Sequence, residues 1–258
     1  MKPLSVTIIQ SDLHWENPKA NRLNFSNKIQ SITKNTDLVI LPEMFTTGFS
    51  MHAESLAEAP HGETLSWMIS EAKKYDLAIT GSIIVKENDR FYNRLYFVFP
   101  NGDFKQYDKR HAFTLAGEHH TYTAGKKQLF VDYRGWKIFP LICYDLRFPV
   151  WTRNVAEYDL LLYVANWPVK RIMAWDTLLK ARAIENMAYC VGVNRVGLDG
   201  NGHEYSGHSA IFDVLGKQIS KNGSEKEFVE TVSLSKEYLS NQRKKLPFLN
   251  DGDLFAIE

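Results

Sequence analysis

Short runs of β-branched and aliphatic residues alternate with amphipathic stretches along almost the whole chain. This alternation is typical of strands buried between layers of helix. Asn88 and Asp89 separate two of the runs and predict a hairpin turn. The predicted strands are 4–10, 37–41, 78–85, 91–99, 129–133, 136–142, 160–164, 189–196, 209–212 and 228–232.

Helices are predicted where apolar residues recur every three or four positions. Asn17 followed by Pro18 supplies a cap residue and a first-turn proline, so a helix begins there. Further helices are predicted at 63–75, 148–156, 171–187 and 235–244. The segment 109–125 is polar, carries histidines and has no clear period, which indicates a functional loop or a lid.

The composition is that of an ordinary globular protein. The chain has 258 residues, of which 44% are hydrophobic and 24% charged, and this is enough to bury a sizeable core. No linker or repeat divides it, so we predict one domain over 1–258, with a catalytic core at about 4–234 and a C-terminal helix and tail at 235–258. Lys plus Arg number 31 against 30 for Asp plus Glu, so we expect neither nucleic acid nor an anionic membrane as a partner.

The same composition bears on location. No apolar run approaches the roughly 18 residues that span a bilayer, and the N-terminal apolar segment is only as long as a strand. The two cysteines, Cys143 and Cys190, lie in apolar runs, and a domain of this size needs no disulfide. We therefore expect a cytoplasmic protein with two reduced thiols.

Cys143 lies where a strand is predicted to end and a helix to begin. The apolar run stops at this residue, and Pro149 follows at a position suited to starting a helix. A thiol in this position forms a nucleophile elbow, close to backbone N–H groups that can bind an oxyanion. Taken alone, such a cysteine is more often buried and inert.

Two ionisable residues lie on loops that leave strand-like runs. Glu43 comes directly after Pro42, at the strand end where open α/β sheets keep their sites, and could act as a general base. Lys109 opens the polar segment, where an ammonium group could lower the pKa of a thiol. Either residue alone is more often a solvated side chain.

Together, the three residues predict a catalytic site, because a nucleophile, a cation and a carboxylate on separate loops can converge only in the fold. A free thiol is only slightly ionised at neutral pH, so a nearby ammonium group has a definite use. Two unit charges about 4 Å apart attract by roughly 4 kcal/mol at an effective dielectric near 20. We therefore expect Lys109 to ionise Cys143.

The sequences around these residues resemble three motifs of the carbon-nitrogen hydrolase (nitrilase) superfamily. Leu-Pro-Glu43-Met-Phe, Tyr-Asp-Lys109-Arg-His and Ile-Cys143-Tyr-Asp-Leu-Arg-Phe-Pro occur in the family's order. Similar strings at 163–168, 181–186 and 194–200 extend the resemblance over nearly the whole chain. Within the superfamily, the strings are most similar to the omega-amidase branch, whose members hydrolyse the terminal amide of 2-oxo acids such as 2-oxoglutaramate.

This resemblance implies an α/β fold of four layers, an αββα sandwich in which two sheets face each other and helices cover both outer faces. It implies that Cys143 is the nucleophile, Glu43 the general base and acid, and Lys109 the cation beside the tetrahedral intermediate. A fourth member, Glu118, would position the substrate or Lys109. The backbone N–H of Tyr144 would help Lys109 to stabilise the oxyanion.

Three further residues are candidates for the pocket wall. Arg147 could form an ion pair with Asp145 or another acid that fixes the elbow, or it could hold the carboxylate of a 2-oxo acid. We favour the ion pair. Phe113 and Trp167 could line the pocket or could simply be packed.

Other chemistries explain less of the sequence. The histidine pairs at 119–120 and 203/208 lack a Cys or carboxylate pattern that would complete a metal site, so none is predicted. A thiol-protease pairing of Cys143 with His111 or His208 would leave the carboxylate and the ammonium group unexplained.

We therefore expect an amidohydrolase that cleaves the terminal carboxamide of 2-oxoglutaramate or 2-oxosuccinamate through a cysteine thioester, with no metal or organic cofactor. The expected partners are the small-molecule amide and a second copy of the chain, because the family commonly forms dimers across one helical layer. Hydrolysis of another small amide or of an N-carbamoyl compound stays open, as does a non-catalytic scaffold that binds a carboxamide.

Overall fold

The computed structural model describes residues 2–221, 225–253 and 255–257. Strands and helices alternate along most of these ranges, as the apolar pattern predicts. The strands are β1 (Leu4–Gln10), β2 (Leu38–Ile40), β3 (Ala78–Glu87), β4 (Arg90–Val98), β5 (Phe104–Asp108), β6 (Val131–Tyr133), β7 (Trp136–Ile142), β8 (Leu160–Ala165), β9 (Tyr189–Asn194), β10 (Val196–Leu198), β11 (Glu204–Ser206), β12 (Ala210–Phe212) and β13 (Phe228–Leu234).

The helices cover the outer faces of the strands. None of those in the described ranges is long and apolar enough to cross a bilayer. The α-helices are α1 (Pro18–Gln30), α2 (Ala53–Leu56), α3 (Glu63–Tyr75), α4 (Glu118–Thr121), α5 (Pro149–Thr152), α6 (Ile172–Asn186) and α7 (Lys236–Lys245), and the short 3-10 helices are Thr114–Ala116, Cys143–Arg147, Val169–Arg171 and Phe248–Asp251.

Two mixed sheets form the centre of the molecule. The first has six strands in the order β13-β1-β2-β3-β4-β5, and the second has five in the order β12-β9-β8-β7-β6. In each sheet the middle strands run parallel, β1 to β2 to β3 and β7 to β8 to β9. Their carboxyl ends therefore lie along one edge of each sheet.

Alternate residues of the first sheet pack on opposite sides of it. On β1, Val6 and Ile8 are buried in the core shared with the second sheet, while Ile9 points to the other face. There Ile9 packs in a separate cluster with Phe25 of α1 and Met68 of α3. A strand buried on both faces reads as a continuous apolar run, because both alternating sets of side chains are covered.

Helix α6 packs closely against the outer face of the second sheet. A Cβ atom at Gly192 of β9 would lie 2.4 Å from Leu179 and 2.7 Å from Trp175, so only glycine allows this approach. With α1 and α3 on the far side of the first sheet, the order of layers is helix, sheet, sheet, helix. The predicted αββα sandwich is confirmed.

The helix predicted at 148–156 is shorter than predicted. It ends at Thr152, two residues before Asn154. The side chain of Asn154 bonds to backbone groups of Tyr158 and Asn186 instead. An asparagine side chain can bond to backbone groups in place of helical hydrogen bonds. The helix therefore ends earlier than the apolar pattern predicts.

Three short strands were not predicted. The strand predicted at 189–196 is divided, since β9 ends at Asn194 and Val196 begins β10, which pairs with β11. The side chain of Asn194 accepts hydrogen bonds from two backbone N–H groups at this break. The third, β5, is a polar edge strand, and such strands have a weak apolar pattern.

The segment 109–125 contains the helix Thr114–Ala116 and α4.

Candidate active site

Four strand ends meet at one edge of the sandwich. Glu43 follows β2, and Lys109, Cys143 and Asn166 are the residues directly after β5, β7 and β8. All four line one pocket with a volume of about 190 Å³. The spatial convergence that the sequence predicts is therefore present.

Cys143 occupies a strained backbone position at the tip of the elbow. Its φ is +45°, in the left-handed region that residues other than glycine rarely adopt. It begins the 3-10 helix Cys143–Arg147, whose first N–H groups have no acceptor within the helix. One of these belongs to Tyr144, which also lines the pocket. The sulfur lies 4.0 Å from the carbonyl oxygen of Asn166, and the residue is 9% exposed.

The side chain of Asp145 holds the Cys143 elbow in place through hydrogen bonds. The carboxylate is fully buried and accepts hydrogen bonds from the backbone N–H of Ile142 at 3.1 Å and from the hydroxyl of Tyr107 at 2.8 Å. It also bonds to His111, at 3.0 Å from the backbone N–H and 2.7 Å from Nδ1. His111 is thus committed to Asp145 and stacks on Phe148, so the thiol-protease pairing is not supported.

Lys109 lies between two buried carboxylates. Its Nζ is 2.9 Å from Oε1 of Glu43, and 3.0 Å and 2.9 Å from the two carboxylate oxygens of Glu118. Asn93 donates to the same Glu43 oxygen at 2.8 Å, and the backbone N–H of Phe113 donates to Glu118 at 2.5 Å. Glu118 therefore contacts Lys109 directly. Positioning Lys109 is one of the two roles that the resemblance implies for Glu118.

The second oxygen of Glu43 is held by Asn166. The backbone N–H of Asn166 donates to Oε2 at 2.9 Å, and its side-chain amide donates to the Glu43 carbonyl at 2.6 Å. Sequence analysis assigned no role to Asn93 or Asn166. Two signals were available: Asn93 is a polar residue inside an apolar strand, and Asn166 directly follows a buried parallel strand.

The electrostatics of the site differ from expectation at the thiol. Burial raises the pKa of Cys143 well above its usual value, and the charge of Glu43 raises it further, while Lys109 opposes both. The ammonium group already balances two carboxylates, so its effect on the sulfur is reduced. This direction is opposite to the prediction that Lys109 ionises Cys143: the balance favours a thiol that keeps its proton, next to a carboxylate that can accept it.

The other charged groups of the site respond to each other. Burial alone would lower the pKa of Lys109, but the charges of Glu118 and Glu43 outweigh it, and the pKa is raised. Burial raises the pKa of Glu118, which the charge of Lys109 only partly offsets. The ammonium group therefore stays charged across the neutral range.

Arg147 lies on the pocket wall and forms no ion pair with Asp145. Its guanidinium carbon is 4.9 Å from the centre of the Trp167 ring, and both residues line the pocket. The acceptor positions of Asp145 are taken by other groups. The favoured ion pair is therefore wrong, and Arg147 faces the space next to Cys143. Phe113 and Trp167 both line that space, which is one of the two placements that the sequence left open for them.

A sequence model of the carbon-nitrogen hydrolase family matches residues 5–244. The chain belongs to this family. It is 46% identical to an omega-amidase YafV of Yersinia enterocolitica, with both chains covered in full, and 32% identical to a 2-oxoglutaramate amidase of Bacillus subtilis, with 96% of each covered. The crystal structure of XC1258 of Xanthomonas campestris, a CN-hydrolase superfamily protein with an arsenic adduct in its active site, superposes over both full chains with a TM-score of 0.97 at 42% identity.

Several pocket residues of this hydrolase were not found by sequence analysis. Arg171 lines the pocket from the 3-10 helix before α6, in a stretch predicted only as the start of that helix. Tyr205 lines it from the unpredicted β11, and His203 from the residue directly before that strand. His208 bonds to Asp176. Within 2–221, 225–253 and 255–257, no three His, Cys, Asp or Glu side chains are grouped to hold a metal ion.

Proposed function

We propose that this hydrolase cleaves the terminal carboxamide of a small 2-oxo acid, 2-oxoglutaramate or 2-oxosuccinamate, to the dicarboxylate and ammonia. The observation that carries the proposal is the meeting of Glu43, Lys109 and Cys143 around one pocket of about 190 Å³. The relatives named omega-amidase and 2-oxoglutaramate amidase support the substrate class.

Acylation begins with a proton transfer. Glu43 accepts the thiol proton of Cys143 as the sulfur attacks the carboxamide carbon, so a C–S bond forms and the carbonyl π electrons move to oxygen. The negative oxygen is stabilised by the ammonium group of Lys109 and the backbone N–H of Tyr144. The raised pKa of the thiol suits this order of events, because the proton leaves only when the nucleophile is used.

Collapse of the tetrahedral intermediate releases ammonia. Glu43 returns its proton to the departing nitrogen, the C–N bond breaks, and a thioester on Cys143 remains. Water then enters, Glu43 accepts a proton from it, and the hydroxide oxygen attacks the thioester carbon. Breakage of the C–S bond frees the carboxylic acid, and the proton held by Glu43 returns to the sulfur.

Glu43 must keep its position through both half-reactions. Its carboxylate is fixed by Asn93 and Lys109 on one oxygen and by the backbone of Asn166 on the other. Glu118 holds Lys109 from the opposite side. We assign Asn93, Asn166 and Glu118 positioning roles, because their contacts are to the general base and the cation.

Arg147 is suited to the distal end of the substrate. Its guanidinium lies over Trp167 at the pocket wall, and a guanidinium fork matches the two oxygens of a carboxylate. The 2-oxo acid carboxylate would bind there, with the carboxamide next to Cys143.

Ammonia release from a panel of amides tests the proposal. The panel consists of 2-oxoglutaramate, 2-oxosuccinamate, glutamine and N-carbamoyl amines. We expect the highest kcat/KM for one of the two 2-oxo amides. A preference for an N-carbamoyl amine would indicate a different substrate class that is hydrolysed by the same chemistry. Binding of amides without any ammonia release would favour a non-catalytic scaffold. Either result overturns the proposal.

A further inference from the structure

A second guanidinium faces the same pocket. Arg171 is one of the lining residues, and its guanidinium carbon lies 4.8 Å from the centre of the Phe113 ring. Among the residues that the structure describes, no carboxylate pairs with the side chain of Arg171 or Arg147, although both are half-buried. Each guanidinium carbon lies within about 5 Å of the centre of an aromatic ring, at 4.9 Å for Arg147 and 4.8 Å for Arg171, which is the range of a cation–π contact.

Fully buried arginines of this chain are paired differently. Arg94 bonds to Asp108 at 2.6 Å, Arg182 to Glu185 at 2.8 Å, and Arg195 to Asp12 at 2.7 Å. Burial of a charge is costly unless it is paired, so these contacts are expected. Neither pocket arginine has a carboxylate partner among the described residues, so both guanidinium groups can bind an anionic group of a ligand.

The two arginine–aromatic pairs are connected through the backbone. The indole N–H of Trp167 donates to the carbonyl of Arg171 at 2.8 Å, and the backbone N–H of Arg171 donates to Pro168 at 3.0 Å. The ring of Trp167 therefore contacts the Arg147 guanidinium, and its indole N–H fixes the backbone at Arg171. We call the four residues Arg147, Trp167, Arg171 and Phe113 the arginine rim.

The pocket is lined by two groups of charged side chains. In the first, Lys109 is flanked by Glu43 and Glu118, so two carboxylates face one ammonium group. The arginine rim adds two positive charges and no negative one. A neutral carboxamide can lie beside the buried carboxylates without repulsion, while an anionic end of the same molecule is attracted to the rim.

We propose that Arg171 is a substrate-binding residue which, together with Arg147, holds the distal carboxylate of the substrate and makes the enzyme selective for short amides with an anionic end. The inference rests on the proposed function for the amide chemistry, and it adds the group that selects the substrate. Arg171 acts on binding and not on the reacting bond, since the carboxylate lies at the end of the substrate away from Cys143.

Matched ligands isolate this contact. In 4-oxopentanamide a methyl group replaces the carboxylate of 2-oxoglutaramate, and the amide and ketone are retained. We would measure Kd for both compounds in the Cys143→Ala background, which removes turnover, and KM and kcat in the active enzyme. Arg171→Gln removes the charge, Arg171→Lys keeps the charge without the fork, and Lys180→Gln is the matched charge control at an exposed position of α6.

We expect Arg171→Gln to raise Kd and KM for 2-oxoglutaramate about 10- to 100-fold, since a hydrogen bond to a charged group has this weight. The value of kcat and the Kd for 4-oxopentanamide stay within about twofold, as expected for a contact made equally in ground and transition states. Arg171→Lys falls in between, and Lys180→Gln behaves as the parent.

Two results would overturn the inference. Unchanged binding of 2-oxoglutaramate by Arg171→Gln would show that Arg171 does not contact the carboxylate. Equal weakening for both compounds would show that it only supports the pocket. The binding measurement decides this without turnover, so it is separate from the proposed function, which fails if the unmodified enzyme releases no ammonia from either 2-oxo amide.

Discussion

Asp145 bonds to the imidazole Nδ1 of His111 at 2.7 Å and so ties together the loops that carry the nucleophile and the cation. Asp145 is two residues after Cys143, and His111 is two residues after Lys109. The same carboxylate also accepts the backbone N–H groups of His111 and Ile142. One buried side chain thus sets the spacing between the sulfur and the ammonium group.

We predict that Asp145→Asn lowers kcat about 10- to 100-fold, because displacing reacting groups by about 1 Å costs this much. KM for the substrate should change little, since Asp145 does not line the pocket. Steady-state kinetics test this, with circular dichroism to check the fold. Asp176→Asn is the control, because Asp176 bonds to His208 in a similar pair away from the elbow. An equal loss in both variants would contradict the role given to Asp145.

Lys109→Met should lower kcat at least about 100-fold, the usual cost of removing one group that stabilises the oxyanion. It should also destabilise the fold by about 3–5 kcal/mol, because Glu43 and Glu118 lose the charge between them. Chemical denaturation and ammonia release measure the two effects.

The double variant Lys109→Met/Glu118→Gln separates catalysis from folding. It removes one of the two buried carboxylates, so part of the lost stability should return. Activity should not return with it. Recovery of both together would show that Lys109 serves only to keep Glu43 and Glu118 in place.

Alkylation by iodoacetamide should report a neutral thiol at Cys143. Its raised pKa means that the thiolate fraction, and so the inactivation rate, grows about tenfold for each unit of pH through the neutral range. Cys190 is sealed from solvent and should stay unmodified in the folded protein. A rate that is already constant below about pH 7 would indicate a preformed thiolate and contradict this protonation state.

Glu43 and Cys143 were predictable because each follows an apolar strand, and Lys109 because it opens a long polar segment. The chain pattern places Glu43 and Cys143 after β2 and β7, whereas β5, which ends directly before Lys109, is too polar to be recognised. The turn at Asn88 and Asp89 was also predictable, since both residues adopt the positive φ that a tight hairpin requires.

The supporting contacts were not predictable, because they depend on which loops meet. Asp145 could pair with Arg147 or with His111, and the sequence alone does not distinguish them. The protonation of Cys143 depends on the balance between burial and three charges, and the sequence predicted only one attraction. Arg171 was missed because a basic residue before a helix normally lies in solvent.

The rate of ammonia release from 2-oxoglutaramate by Cys143→Ala, compared with Cys190→Ala, tests the central claim most directly. Both variants remove one buried free thiol. Cys143 directly follows β7 and lines the pocket, whereas Cys190 lies within β9 and does not. The account predicts that Cys143→Ala loses more than about a thousandfold in kcat with its fold intact, while Cys190→Ala keeps the parent rate. Turnover by folded Cys143→Ala at a rate near that of the parent would contradict it.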